Sequence, residues 1–416
     1  MRASGQVRDI GGLVVARVGR VREAGGSEVP WRVDDANGVE VTAVTEFLAD
    51  LAASDASSAT LRSYAYTMLG WLRFLWTVGV AWDRAERVEA RDYALWLKQA
   101  VKPSRPRRAE APTPGTVNAV TGKRYLGERY AAATRRHARA VVRAFYEYHR
   151  TEHGRPLLNP FPASRAGTAD ERTRAGHNPM LPWTPTRPAP YQPKAPRRIP
   201  RDISEELFNA LFAALSCDRD RALLAFWMST AARASELLTA RQGLVEPADQ
   251  LIGLVRKGTR AVQMLPASPD AFVWLRLYHH RLGDHLPVDP DEPVWWTLRR
   301  PLRPLTYDAA RMMFTRAQQA LGSNWSLHDM RHTALKRMAR DPHMSLTDVQ
   351  WVAGHAHITS TEIYLEPTPE EVVTHVLAHH ARQTRRPATP PPPAPGYRPE
   401  VLAALLGTPP GIGDTA

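Results

Sequence analysis

One cysteine among 416 residues, Cys217, excludes an internal disulfide and any cysteine-rich zinc site. Long apolar runs are missing too. No uncharged stretch approaches the ~18 residues that a membrane-crossing helix needs, and the most apolar one, Leu69 to Trp82, is broken by Arg73. Leu13-Val14-Val15-Ala16 is too short for a signal-peptide core and runs into Arg17. These absences predict a protein of the reducing cytoplasm with no membrane partner. Acid is in short supply: 42 Asp and Glu face 55 Lys and Arg, a net charge of +13. Such an excess suits nucleic acid best, with an acidic protein or an anionic membrane surface as the alternatives. The 43% of hydrophobic residues suffices for ordinary cores and excludes wholesale disorder, and the length fits two or three domains.

The chain divides by pattern. Residues 1–38 are glycine-rich and read as an N-terminal arm or loose strands. From 39 to 153 the apolar spacing is helical. Leu61, Tyr64, Met68, Trp71, Leu72 and Leu75 follow Ser57 or Ser58 as the N-cap. A shorter helix runs from Arg91 to Val101. A third, Thr134 to His149, has Ala138, Val141, Val142, Phe145 and Tyr146 on its apolar side. This block reads as an all-helical domain. Eleven prolines between Pro156 and Pro200 make 154–200 an interdomain linker, since such a segment forms neither a core helix nor a central strand. Residues 201–382 form a second, mixed domain. Its helices are expected near 204–216, 219–229, 269–282, 306–321, 327–340, 345–353 and 369–380. Leu251 to Leu265 reads as a β-hairpin turning at Gly258. Residues 383–416 are a tail, in which 401–406 suggests a small docking helix.

Base is concentrated in one stretch. Residues 101–150 hold twelve Lys and Arg against three Glu. Lys102, Arg105, Arg107 and Arg108 precede the helix on which Arg135, Arg139 and Arg143, four apart, share a face beside Arg136. One-signed charge of this kind is expected to track DNA phosphates, whereas alternating charge would mark a solvated face.

Four short pieces of the second domain carry chemistry. Thr230-Ala231-Ala232-Arg233 opens a helix with an arginine, three residues before Glu236. Guanidinium donors there add to the positive end of the helix dipole and suit a phosphate. Arg256-Lys257-Gly258-Thr259-Arg260 puts a lysine on a tight turn, from which an ammonium can swing onto a leaving oxygen. Leu327-His328-Asp329-Met330-Arg331-His332-Thr333 sets His328 and Arg331 on one helix face. Ala353-Gly354-His355 is followed nine residues later by Tyr364. Singly each is weak: an arginine paired with Glu236, a solvated lysine and a packed tyrosine are the ordinary readings. No metal is expected on His328, His332, His355 and His357, because no carboxylate or cysteine completes a ligand set.

Taken in order, Arg233, Lys257, His328, Arg331, His355 and Tyr364 resemble the signature of the tyrosine recombinase/integrase family, the phage-integrase-type site-specific recombinases. Leu327 to Thr333 is close to that family's Leu-His-Asp-Leu-Arg-His-Thr. The likeness covers 201–382 directly, and the block at 39–153 is similar to the family's core DNA-binding domain. It implies a two-domain DNA clamp, helical at the N-terminus and mainly α with a small antiparallel sheet (α+β) in the catalytic domain. It also implies double-stranded DNA as partner, a dimer per site, a tetramer on two synapsed duplexes and an accessory or directionality protein. Phosphoryl-transfer physics then gives the roles. Arg233 and Arg331 clamp the non-bridging oxygens, His355 donates a further hydrogen bond, Tyr364 is the nucleophile and His328 the general base. Lys257 is implied as general acid for the departing 5′-oxygen. The covalent link conserves the bond energy, so neither ATP nor a metal or other cofactor is expected. Glu236 and Asp329 are expected to support structure. Thr-Ala-Ala-Arg stands where the family has Thr-Gly-Leu-Arg, and Ala-Gly-His where it has Leu-Gly-His. A mobile-element integrase is the expected role. A type IB topoisomerase and a non-enzymatic DNA-binding accessory protein are the rival readings.

Overall fold

The computed structural model describes residues 8–25, 28–103, 112–162, 190–194, 202–286, 289–367, 369–384 and 400–401. The chain forms two compact units. One comprises Met1–Arg198 with Met312–Ser326; the other comprises Ile199–Arg311 with Leu327–Ala416.

In the first unit, β1 (Arg20–Glu23) and β2 (Trp31–Asp34) pair antiparallel, Arg20 opposite Asp34 and Glu23 opposite Trp31. Among the described residues four helices follow: α1 (Thr42–Ala53), α2 (Ser58–Thr77), α3 (Arg87–Gln99) and α4 (Ala132–Glu152). Ser57 caps α2 by accepting from the Thr60 amide at 3.2 Å, as the sequence leads one to expect. The apolar faces meet in an aromatic core of Phe47, Trp71, Phe74, Phe145 and Tyr146, each at most 2% exposed. The expected arm is not separate from this domain. Arg73 of α2 donates to the carbonyls of Val18 and Gly19 at 2.6 and 2.8 Å, and Val33 is fully buried. Gly19 (φ +71°) is held so close to the Asp34 carbonyl that a Cβ would lie 2.6 Å from it. Hairpin pairing satisfies backbone groups that an arm would leave to water. The first part of the expected linker also packs inward, with Phe161 1% exposed and edge-on to Trp71. Its residues 163–189 and 195–200 lie outside the described residues.

The second unit begins with α5 (Glu205–Ala213), capped by Ser204, and α6 (Asp218–Thr230). A short α7 (Ala234–Leu238) leads to a three-stranded antiparallel sheet of β3 (Val245–Glu246), β4 (Leu251–Val255) and β5 (Val262–Pro266), in that order. The β4–β5 hairpin runs from Leu251 opposite Pro266 to Val255 opposite Val262, leaving residues 256–261 as its loop. Then come α8 (Pro269–Leu282), α9 (Tyr307–Gln319), α10 (Leu327–Ala339), α11 (Leu346–Ala353) and α12 (Pro369–Thr384). Every helix expected of this domain is present. Residues 312–326, which include most of α9, group with the first unit. There Asn118 Nδ2 donates to the Gly322 carbonyl at 2.7 Å, and Asn324 Nδ2 to that of Lys123 at 3.1 Å. The expected tail helix lies almost wholly outside the described residues.

Candidate active site

The second unit gathers its cations around one buried carboxylate. Glu236, in the first turn of α7, is 2% exposed. Its Oε2 accepts from the Arg233 amide (3.0 Å) and Arg256 Nη1 (3.1 Å). Its Oε1 accepts from Arg233 Nη1 (2.7 Å) and the Lys257 amide (3.0 Å). Burial pushes its pKa up, but donation from the Lys257 backbone and from Arg233 outweighs that and holds it below the ordinary value. One carboxylate therefore ties the helix start that carries Arg233 to the hairpin loop that carries Lys257. Arg256 extends the tie. Its Nε donates to Gln263 Oε1 at 2.6 Å and its Nη2 to the Val352 carbonyl at the end of α11.

Two left-handed turns aim the remaining groups. Ala231 ends α6 at φ 49°, a conformation that costs a residue with a Cβ ~1–2 kcal/mol, and its carbonyl accepts from Arg331 Nη1 at 2.7 Å. Gly354 ends α11 at φ 61°, with Arg256 Cζ 3.2 Å from where a Cβ would stand. His355 follows directly. Arg331, on α10 and 3% exposed, also donates from Nη2 to the Ala353 carbonyl (2.6 Å) and to His355 Nε2 (3.1 Å). A guanidinium only donates, so Nε2 of His355 carries the lone pair and Nδ1 the proton, which goes to Thr361 Oγ1 at 3.0 Å. Burial, then Arg331, lowers the His355 pKa to about 4. Burial, then Arg233, lowers that of Arg331 to about 10, which leaves it charged at neutral pH.

Tyr364 closes a 3-10 turn, Glu362–Tyr364, and is 3% exposed. Its ring lies parallel to that of His355 at 6.3 Å. Burial raises its pKa, against the pull of Arg331 and Arg233. Its hydroxyl is 3.0 Å from Nδ1 of His332. His328 is exposed, and its ring stands 4.2 Å from that of His332. Burial, then His328, lowers the His332 pKa to about 4.

Arg233, Arg331, His355 and Tyr364 thus converge, while the Lys257 side chain is exposed on the hairpin loop. Sequence reasoning passed over His332, weighed only as a metal ligand, and Arg256. The signal for His332 was its place four residues after His328, on the same helix face. Among the described residues, a different set of ligand-type side chains, Glu46, His149 and His153, lies within 4.8 Å of one another in the first unit. There His149 donates from Nε2 to the Ala43 carbonyl at 2.9 Å and packs edge-on to Phe145, which accounts for it as a core residue.

The basic face of α4 is less free than its sequence suggests. Arg135, Arg139 and Arg143 are half-buried and Arg136 is exposed. Arg139 donates to the carbonyls of Pro190 and Pro162, both at 2.9 Å. With Arg135, Arg91, Tyr93, Phe161 and Tyr191 it lines a cavity of about 390 Å³. The Lys102 amide donates to the Glu128 carbonyl at 2.9 Å. Arg105, Arg107 and Arg108 lie outside the described residues.

Comparison with known proteins places the site within a known family model. Residues 198–371 match the phage integrase family, a span that contains all six signature residues. This region is a phage-integrase-type domain, and the relatives it resembles are tyrosine recombinases. Tyrosine recombinase XerC of Chlamydia caviae is 26% identical over 206 residues, 48% of this chain and 62% of the relative. Tyrosine recombinase XerD of Ralstonia nicotianae is 28% identical over 213 residues, 45% of this chain and 63% of the relative. The matched region thus spans somewhat less than two thirds of these relatives. Among solved structures, a lambda integrase dimer bound to a COC′ core site aligns with TM-score 0.52 at 15% identity, covering 78% of this chain and 76% of that one. The Tn1549 transposon integrase in complex with circular intermediate DNA aligns with TM-score 0.52 at 12% identity, covering 80% and 98%. These structural likenesses show a shared fold, mainly α with small antiparallel sheets.

Proposed function

We propose that this chain cuts and rejoins double-stranded DNA at specific sites through a covalent link to Tyr364, as the integrase of a mobile element. The observation that carries the proposal is the convergence of the Tyr364 hydroxyl, His355 and the buried Arg331 guanidinium beside Arg233. In the reaction, the Tyr364 oxygen attacks a phosphodiester in line. The new bond is tyrosyl oxygen to phosphorus, and the broken one is phosphorus to the 5′-oxygen. Arg233 and Arg331 hold the non-bridging oxygens as charge builds there. His355 adds a donor once its Nε2 is protonated. A bound phosphate favours that by opposing the arginines that depress its pKa. Lys257, exposed on the hairpin loop, gives its proton to the 5′-oxygen. A 5′-hydroxyl from the same or another duplex reverses the steps, so no external energy source enters. DNA as partner, one dimer per site and a tetramer at synapsis belong to this proposal, as does an accessory or directionality protein.

Covalent capture tests it. Wild type and Tyr364→Phe are expressed in the native host, denatured in detergent, and the protein-linked DNA is sequenced. DNA recovered with wild type alone, at discrete ends, is the expected result. Scattered ends would replace recombination with topoisomerase action, and equal recovery with Tyr364→Phe would remove the nucleophile.

A further inference from the structure

We infer that His332, rather than His328, takes the proton from Tyr364, and that His328 is its outlet to solvent. The inference rests on the proposed reaction and deepens it. The first argument is reach: His332 Nδ1 is 3.0 Å from the hydroxyl, a hydrogen-bonding distance that a proton can cross. The second is placement. His332 is half-buried between Tyr364 and His328, whereas His328 is exposed with its ring 4.2 Å from the His332 ring. The three groups therefore form a row from the buried hydroxyl to the surface. The third is charge state. The groups acting on His332 are His328, Asp329 and Arg331 on its own helix, His355 from the end of α11 and Tyr364 from the 3-10 turn. Burial and this mainly cationic surround keep it neutral at physiological pH, so it has a lone pair to offer.

The step balances. As the tyrosyl oxygen bonds to phosphorus, its proton moves to His332 Nδ1, and the 5′-oxygen receives a separate proton from Lys257. The imidazolium formed is disfavoured by its cationic neighbours, so the proton passes from Nε2 to His328 and to water. Rejoining runs the row backwards and returns the proton to the leaving tyrosyl oxygen.

Single-turnover adduct formation on the captured site DNA, followed from pH 6 to 9, separates this from a structural role. Wild type is expected to show a nearly flat profile. His332→Ala is expected to be about 100-fold slower at pH 7. Its rate should climb about tenfold per pH unit as hydroxide takes over, with DNA affinity unchanged and added imidazole restoring part of the rate. His328→Ala is expected to lose less and to keep the flat profile. A His332→Ala enzyme as fast as wild type, or faster, on a flat profile would make His332 a latch and overturn the inference. Nitrogen NMR of His332 in the full chain without DNA gives a reading independent of activity. A lone pair on Nδ1 that responds to Tyr364→Phe is expected, and a proton on Nδ1 would overturn the inference. Absence of any adduct from wild type would instead count against the proposed function, while the NMR result would still decide the role of His332.

Discussion

The aromatic core of the first unit and the site of the second bury opposite things. The helical unit closes over large aromatic rings whose few polar edges pair with one another: Trp71 Nε1 donates to the Tyr146 hydroxyl at 3.1 Å, which donates to the Trp82 carbonyl at 2.7 Å. Around Tyr364 the second unit has a small apolar cluster with Ala231, Ala334 and Ala353 as members, and beside it buries Glu236, Arg256 and Arg331. Apolar area stabilises wherever it is removed from water, whereas buried charge is tolerated only where every donor meets an acceptor. The difference teaches that the aromatic core serves stability, whereas the site, set beside the second unit's own core of Phe226, Trp227, Tyr278 and Trp295, holds cations at fixed positions. Substitutions at the two centres should therefore damage different properties.

The largest stability effect is expected from Trp71→Ala. The ring is fully buried against Phe74, Tyr93, Tyr146 and Phe161. Its loss leaves a cavity that costs about 3–5 kcal/mol, readable in denaturant unfolding. A cost under ~1 kcal/mol would mean that the core collapses into the space and is not the stabilising centre described. The counterpart is Arg331→Lys. An ammonium cannot serve the carbonyls of Ala231 and Ala353, His355 and a phosphate from one planar fork. Adduct formation is expected to fall roughly 100- to 1,000-fold, about 3–4 kcal/mol of activation, while the melting point moves far less than in Trp71→Ala. Equal damage to melting and to adduct formation would erase the contrast between the units.

Glu236→Gln sharpens the contrast by adding pH. Removing the charge leaves Arg233 and Arg256 without their counter-ion, at a cost of about 2 kcal/mol for charged hydrogen bonds at this buried position. The folded-state pKa of Glu236 is held below its unfolded value. Its contribution is therefore fully present above the unfolded value, about 4.3, and is lost as pH falls through the folded one. Melting curves should separate wild type from Glu236→Gln most at neutral pH and converge in acid. A gap that is the same in acid would show that shape, not charge, holds the cluster.

This contrast also governs what could be read from the sequence. Periodicity reports apolar burial, so α2, α4 and the helices of the second unit were legible, as was the β4–β5 hairpin from its β-branched runs about Gly258. The six signature residues were legible from order and spacing. Contacts between distant segments were not. Nothing at Arg256 says that its guanidinium reaches the end of α11, and nothing at Gly19 says that it packs under Asp34 and draws the supposed arm into a hairpin. His332 lay next to a recognised residue yet gained meaning only when the 3-10 turn brought Tyr364 to it. Buried polar pairing depends on where chains meet, and local pattern is silent on that.

The smallest expected effect tests the basic face of α4, where sequence and structure part most. Arg136 is exposed, while Arg139 is bound to the carbonyls of Pro190 and Pro162. If Arg136 meets a phosphate, Arg136→Ala should reduce the slope of log affinity against log salt by about 0.9, the counterion release of one contact on duplex DNA. Arg139→Ala should leave that slope alone and lower the melting point instead, because its two carbonyl acceptors lose their donor. The two arginines differ by three positions on one helix and carry the same charge, so any difference between them comes from where the fold turns each guanidinium. Slopes that shift equally would mean that Arg139 exchanges its carbonyl partners for phosphate when DNA binds, and that the whole face acts as its sequence first suggests.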